Sequence, residues 1–282
     1  MIPLANSAVR DFRECGYAVV RNFFSDAEMT RLSEAALALH DAKVERSTVG
    51  ATLGRISFQR TYGVWQQSQA VRDIAFDTEL AALASDMLGC DALRVIADDV
   101  FEKRPGDRVS TWHYDKKFVP IDNDRFISIW IPLTDVTLEM GTMAYVRGSH
   151  RQRFLERMAP FGGEIRAHMW YATQIALRNG HIDRVAANRG DVLFHHGNTM
   201  HMAGANRSTK RRTAYGVHFA DARSRFVTPA NDSQRLHVRE CGWEALRPGD
   251  EIETESSPEV FVRRDDRRAA SIACAEDRRI LA

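Results

Sequence analysis

The stretch Thr-Trp-His-Tyr-Asp-Lys-Lys-Phe at 111–118 sets His113 and Asp115 two residues apart, with Tyr114 between them. In an extended chain alternate side chains share a face, so this imidazole and carboxylate project together while Trp112 and Tyr114 face away. Such a pair suits two adjacent positions around a metal ion. A jaw of this kind needs a third ligand, and residues 190–215 offer three candidates: His195, His196 and His201. Two histidines and one carboxylate around iron(II) leave positions open on one face, room for a chelating organic acid and for dioxygen. An arginine on a neighbouring strand would then grip the acid's far carboxylate through paired charge-assisted hydrogen bonds. Arg211 and Arg212 follow the histidines, so the order His-x-Asp, His, Arg is complete.

These residues need a rigid frame, and the texture of the chain supplies one. From residue 92 onward, short runs rich in Val, Ile, Phe and Tyr recur: ALRVIADDVFEK, FISIWIPLTDV, TMAYVRGS, DVLFHH and RTAYGVHFA. Turn signals such as Pro-Gly, Asp-Asn and Gly-Asn bound them, which points to a sandwich or barrel of short strands. Before them, the spacing predicts a helix over 7–15 that Gly16 ends, then a strand at YAVV. Ser25 and Glu28 form a capping-box pattern opening a second helix, with Met29, Leu32, Ala36 and Leu39 on one face. A further helix is expected over 70–88, ending at Gly89. Residues 150–182 read as a lid-like insert between strands. Residues 221–282 form a polar C-terminal extension with two expected helices. No repeat or low-complexity linker divides the 282 residues, so one domain over 1–282 is expected.

The charge balance of 39 basic against 38 acidic residues gives no global field to draw in nucleic acid or an anionic membrane. No run of apolar residues is long enough to span a bilayer, and the N-terminus lacks a secretory pattern. Cys15, Cys90, Cys241 and Cys274 are scattered without Cys-x-x-Cys spacing, as in free thiols of a reducing cytoplasm. A cytoplasmic protein acting on a small-molecule substrate, with neither nucleic-acid nor membrane partner, is expected. The oligomeric state is not legible.

The chain resembles the phytanoyl-CoA dioxygenase family of iron(II)/2-oxoglutarate-dependent oxygenases. The resemblance covers about residues 8–220 and rests on His113, Asp115, His201, Asn206, Ser208 and Arg212 in the family's register. It rests also on IWIPLTDVTLEMGTMAYVRGSH and on GYAVVRNFFSDAEMTRL. Two positions depart from the pattern: Ala203 stands where serine is frequent, and Met140 where asparagine is usual. The resemblance implies a mainly β fold with flanking helices, a double-stranded β-helix (cupin-like jelly roll). It implies His113, Asp115 and His201 as catalytic iron ligands, and Arg212, Trp130 and Ser208 as residues binding 2-oxoglutarate. The implied reaction consumes dioxygen and 2-oxoglutarate, releases succinate and carbon dioxide, and hydroxylates or otherwise oxidises an unactivated C–H of a metabolite. Family substrates include acyl-CoA thioesters, amino acids, phosphonates and secondary metabolites; a small or amino-acid-like one is expected here. An aspartate at 115 favours hydroxylation over the chlorination of relatives that lack the carboxylate.

Around that centre, strand alternation favours Arg212 over Arg211 as the acid anchor. His195 and His196 are expected in supporting or core roles, His218 in the core, and Lys116 and Lys117 in a solvated turn. Candidate substrate contacts are His168, Trp170 and Tyr171 in the insert and Arg223, Arg225 and Phe226 in the extension. Two rival readings are a non-catalytic jelly roll that binds a small acid, and a zinc hydrolase using the same jaw, in which Arg212 would have no task.

Overall fold

The computed structural model describes residues 2–46, 58–152, 174, 178 and 181–263. Helix α1 (Ile2–Cys15) runs into strand β1 (Tyr17–Val20), and α2 (Asp26–Arg46) follows. The capping box forms: Ser25 N–H donates to Glu28 Oε2 at 2.8 Å, and Glu28 N–H faces Ser25 Oγ at 3.4 Å. Met29, Leu32 and Ala36 are fully buried, while at the helix end the buried position is His40 and Leu39 is only half-buried. The helix expected over 70–88 is two helices, α3 (Gln69–Ala75) and α4 (Thr78–Leu88). Asp77 explains the break: its side chain accepts from Leu80 N–H at 2.8 Å, which starts a new helix there.

The remaining strands are β2 (Gln59–Tyr62), β3 (Ala92–Lys103), β4 (Ser110–His113), β5 (Phe126–Pro132), β6 (Met143–Val146), β7 (Ile182–Val185), β8 (Val192–His196), β9 (His201–Ala203), β10 (Arg212–Asp221) and β11 (Glu259–Val262). A large antiparallel sheet has the order β1-β8-β5-β10-β3-β11, with β2 sharing the outer edge of β3. A small sheet has the order β4-β9-β6-β7 and lies across it. This is the expected double-stranded β-helix. In the extension, the described residues form one helix, α5 (Asp232–Glu240), and strand β11 rather than two helices.

Alternation along the large sheet separates packing from chemistry. Ile127, Ile129 and Ile131 of β5, Phe194 of β8, and Tyr215, Val217 and Phe219 of β10 join Phe12, Met29, Leu32 and Leu80 of the helices in one core. Each such fully buried side chain contributes about 1.5–3 kcal/mol. The opposite face of the same strands carries Ser128, Trp130, His195, Arg212, Gly216 and His218, which look toward the small sheet and line a cavity.

Candidate active site

His113 is the last residue of β4, and Asp115 opens a 3-10 turn (Asp115–Phe118). The two therefore do not share one strand, as the spacing suggested. Tyr114 between them is still extended (φ −136°, ψ 141°), so the alternation holds and both side chains reach the cavity. Trp112 and Tyr114 turn away and are buried. His201 opens β9 directly opposite His113 in the ladder, which brings their ring centroids to 4.3 Å. Asp115 Oδ1 lies 3.6 Å from His113 Nε2 and 3.5 Å from His201 Nε2.

The ring orientations suit a metal. His113 Nδ1 lies 2.7 Å from the carbonyl oxygen of Thr111, and His201 Nδ1 lies 2.9 Å from that of Thr199. A carbonyl only accepts, so each Nδ1 carries the hydrogen and each Nε2 lone pair points inward. Burial, with His201 as a neighbour, pushes His113 down to about 4. Burial does the same to His201, also to about 4. Both rings are thus neutral, as metal ligands must be. Burial works against the charge on Asp115, but His201, His195 and His113 hold its carboxyl well below the usual range. Their inward-facing donor atoms all lie within 4.8 Å of one another, and two neutral imidazoles with one carboxylate match the donor set of non-haem iron(II).

His195, the rival candidate, is committed elsewhere: its Nε2 lies 2.9 Å from Asp115 Oδ2 and its Nδ1 lies 3.4 Å from Tyr145 OH. His196 faces the helices, against Phe12 and His150. A second cluster, His40, Asp41 and Glu102, is already filled by hydrogen bonds: His40 to Thr61, and Arg211 to both carboxylates.

At one end of the cavity lies Arg212, 4% exposed. Its Nη1 donates to the Gly141 carbonyl at 2.7 Å, and its Cζ stands 5.0 Å from the Trp130 ring centroid. No carboxylate pairs with it among the described residues, and burial pulls its pKa down to about 10. Gly141, at φ +80°, shapes this corner: a β-carbon there would stand 2.2 Å from Gly204 O. Lys103 lies opposite Arg212 in the ladder and also lines the cavity; burial, with Arg212 beside it, lowers it to about 7. Lys103 Nζ donates to the Arg108 carbonyl, whereas the buried Arg212 guanidinium over its indole face fits the far carboxylate of 2-oxoglutarate. Arg211 points outward to Glu102 and Asp41. The structure does not bring Ser208 to the cavity. Its Oγ donates to Asn206 Oδ1 at 2.7 Å, while Asn206 Nδ2 donates to the carbonyl of Lys103 at 3.0 Å, so the pair braces the turn before β10.

The cavity has a volume of about 370 Å³. Beyond the jaw its wall combines the aromatic Phe58, Phe101, Phe118 and Phe126 with the charged Arg60, Asp99 and Glu240. The ring of Phe101 lies over Gly216, where a β-carbon would come within 2.7 Å of it. His218 also lines the cavity instead of facing the core, because it alternates with Val217 and Phe219. Arg223, Arg225 and Phe226 do not line it: Arg223 pairs with Asp221, Arg225 with Glu251, and Phe226 packs beside Trp243. The extension contributes Ser233, Leu236, His237 and Glu240 instead. A bond from Gln234 Nε2 to the Lys117 carbonyl at 3.0 Å holds α5 against the turn that carries Asp115. Lys116 and Lys117 are half-buried beneath it, not fully solvated. His168, Trp170 and Tyr171 lie outside the described residues.

Lys103 and Ser128 were not singled out in the sequence. Ser128 carried a signal, a hydroxyl within the otherwise apolar run Phe126–Pro132. Lys103 carried none, since a lysine at a strand end is ordinarily solvated.

Comparison with known proteins places the chain in a family. The model of the phytanoyl-CoA dioxygenase family (PhyH) matches residues 12–214. A probable alpha-ketoglutarate-dependent hypophosphite dioxygenase of Stutzerimonas stutzeri is 25% identical over 231 residues, 76% of this chain and 77% of that protein. The non-heme alpha ketoglutarate dependent carbocyclase SnoK from nogalamycin biosynthesis superposes with a TM-score of 0.76 at 30% identity, covering 90% of this chain and 96% of SnoK. The epimerase SnoN, solved with Fe3+, alpha ketoglutarate and nogalamycin RO, shares the fold at 21% identity and a TM-score of 0.72, covering 92% of this chain and all (100%) of SnoN. The chain therefore belongs to the phytanoyl-CoA dioxygenase family and is an iron(II)- and 2-oxoglutarate-dependent oxygenase that uses dioxygen.

Proposed function

We propose that this oxygenase hydroxylates an unactivated C–H bond of a small organic molecule. The observation that carries the reading is the jaw of two neutral imidazoles, His113 and His201, and one carboxylate, Asp115, at one wall of a cavity whose end holds Arg212, a guanidinium with no carboxylate partner among the described residues. Iron(II), with 2-oxoglutarate and dioxygen bound, supplies the oxidising power, and 2-oxoglutarate leaves as succinate and carbon dioxide. His113 and His201 hold the metal through Nε2, each ring fixed by its bond to a backbone carbonyl. Asp115 supplies one negative charge, so the ion keeps part of its attraction for an anionic cosubstrate. Arg212 takes the far carboxylate of 2-oxoglutarate, with Lys103 beside it, and Trp130 orients the guanidinium by its ring face. Ser208 keeps a supporting part, through Asn206 and the turn that leads to Arg212.

The aromatic part of the wall supports a substrate with an apolar portion, because such a surface gains by excluding water, and Arg60, Asp99 and Glu240 beside it support polar groups on the same molecule. The small, amino-acid-like molecule expected from sequence meets both demands if its side chain is apolar, whereas hypophosphite, for which one relative is named, has no apolar surface. A cytoplasmic site of action fits the free thiols Cys15, Cys90 and Cys241. The test is oxygen uptake and succinate formation by the purified full-length chain. Both should require iron(II) and 2-oxoglutarate together, and should rise with small candidate substrates that carry an apolar group beside polar ones. Turnover of a hydrolytic substrate with zinc, without oxygen uptake, would overturn the proposal.

A further inference from the structure

The carboxylate of Asp115 is held by its two oxygens in different ways. Oδ1 faces the Nε2 atoms of His113 and His201. Oδ2 instead accepts from Ser128 Oγ at 2.6 Å and meets His195 Nε2 at 2.9 Å. Both partners come from the large sheet, whereas Asp115 follows a strand of the small one. They are direct neighbours in the ladder, Ser128 opposite His195, and His218 lies opposite Ser128 on the other side. The three form one polar row across the sheet, with Asp115 above it. Ser128 is 1% exposed and His195 3%. His195 Nε2 lies 2.9 Å from Asp115 Oδ2, and a carboxylate oxygen accepts, so the hydrogen sits on Nε2 and points at Asp115. That nitrogen has no lone pair for a metal. His218 Nδ1 lies 2.9 Å from Ser128 Oγ and its Nε2 lies 3.2 Å from Asp99 Oδ2.

We infer that Ser128 and His195 are positioning residues that occupy Asp115 Oδ2 and leave Oδ1 as the single oxygen offered to the metal. The inference rests on the reading of His113, Asp115 and His201 as the ligands. A carboxylate free to rotate could grip an ion with both oxygens and would consume a coordination position. Engaging Oδ2 twice keeps the carboxylate one-toothed. Three protein donors then leave three positions, the number required by a two-toothed acid and dioxygen. Partners of this kind orient ligands around metals generally, and their loss costs about 10–100-fold in metal affinity or activity.

The experiment uses the full-length protein with Co(II) as the probe, under nitrogen. The dissociation constant is read by chelator competition, the coordination number by the visible absorption of the bound ion, and folding by circular dichroism. Ser128→Ala removes one oxygen without adding volume, and Ser128→Thr keeps the hydroxyl. The expected result is that Ser128→Ala and His195→Ala each weaken Co(II) binding by about 10–100-fold and alter the absorption band. Ser128→Thr should retain the wild-type affinity and band. Wild-type affinity and an unchanged band in Ser128→Ala and His195→Ala would overturn the inference. So would equal loss in Ser128→Ala and Ser128→Thr, since the hydroxyl would then not be the acting group. His113→Ala separates the two levels of argument: if it binds Co(II) like the wild type, the ligand assignment itself fails.

Discussion

Replacing Arg212 with alanine should weaken 2-oxoglutarate binding far more than it weakens the fold. Arg212 is 4% exposed and spends one donor on the Gly141 carbonyl, at 2.7 Å. A guanidinium carries five N–H donors in a planar fork, so the rest remain for a carboxylate. Truncating one partner of a buried, hydrogen-bonded charge pair costs about 2–5 kcal/mol, roughly 30- to 4,000-fold in affinity. Lys103 stays beside the gap and keeps some positive charge there, which places the expected loss in the lower part of that range. Arg212→Lys should recover only part of it, because an ammonium cannot present two parallel donors. The assay is calorimetric titration of 2-oxoglutarate into Co(II)-loaded protein without dioxygen, backed by the KM for 2-oxoglutarate in succinate formation. Arg211→Ala is the control. Its guanidinium serves Glu102 and Asp41, so it should lower the melting temperature and leave the 2-oxoglutarate affinity unchanged. Equal loss of affinity in the two variants would refute the assignment.

His113→Ala, Asp115→Ala and His201→Ala should abolish iron binding, measured as metal retained after gel filtration, while His196→Ala should retain it; the reverse for His201 and His196 would reassign the distal ligand. Glu102 gives a pH prediction. Burial alone would raise its carboxyl, but bonds from His40, Arg211 and Arg104 depress it from 4.5 to about 2. A depressed folded-state pKa contributes stability above the unfolded value that is lost as pH falls from about 4.5 toward 2. At full depression this is about 3 kcal/mol, and Glu102→Gln should flatten that acid limb in melting curves recorded across it. Gly141→Ala should destabilise the protein and raise the KM for 2-oxoglutarate together. Its positive φ costs about 1–2 kcal/mol for a residue with a β-carbon, and that carbon would collide with Gly204 beside Arg212. A stable Gly141→Ala enzyme with unchanged KM would show that the corner does not set the guanidinium.

Much of this protein was legible in one dimension because its signals are local. Apolar runs of β-branched and aromatic residues marked β3, β5, β6, β8 and β10, and Ser25 with Glu28 marked the start of α2. The alternation that sets His113 beside Asp115 needs only an extended Tyr114, which the chain provides even though the strand stops one residue earlier. Alternation likewise sent Arg212 inward and Arg211 outward, because a strand turns neighbouring residues to opposite faces. Other features depend on contacts distant in sequence, and only the tertiary structure decided them. That His201 stands opposite His113 follows from β9 pairing with β4, and that His195 meets the other oxygen of Asp115 follows from β8 pairing with β5. Asp77 outcompeted the helical pattern over 70–88 with a side-chain cap. His218 faces the cavity because of the phase of β10, Ser208 is drawn into a turn by Asn206, and Lys103 is buried by its pairing with Arg212. Helix α5 joins the cavity wall from more than a hundred residues beyond the Asp115 turn, held there by a bond from Gln234 to the Lys117 carbonyl. Residue types and spacing thus determined the chemistry of the jaw, since that chemistry is written in side chains a few residues apart. The packing of two sheets and a distant helix determined what the jaw faces, because burial and hydrogen-bond partners exist only once the chain has closed on itself.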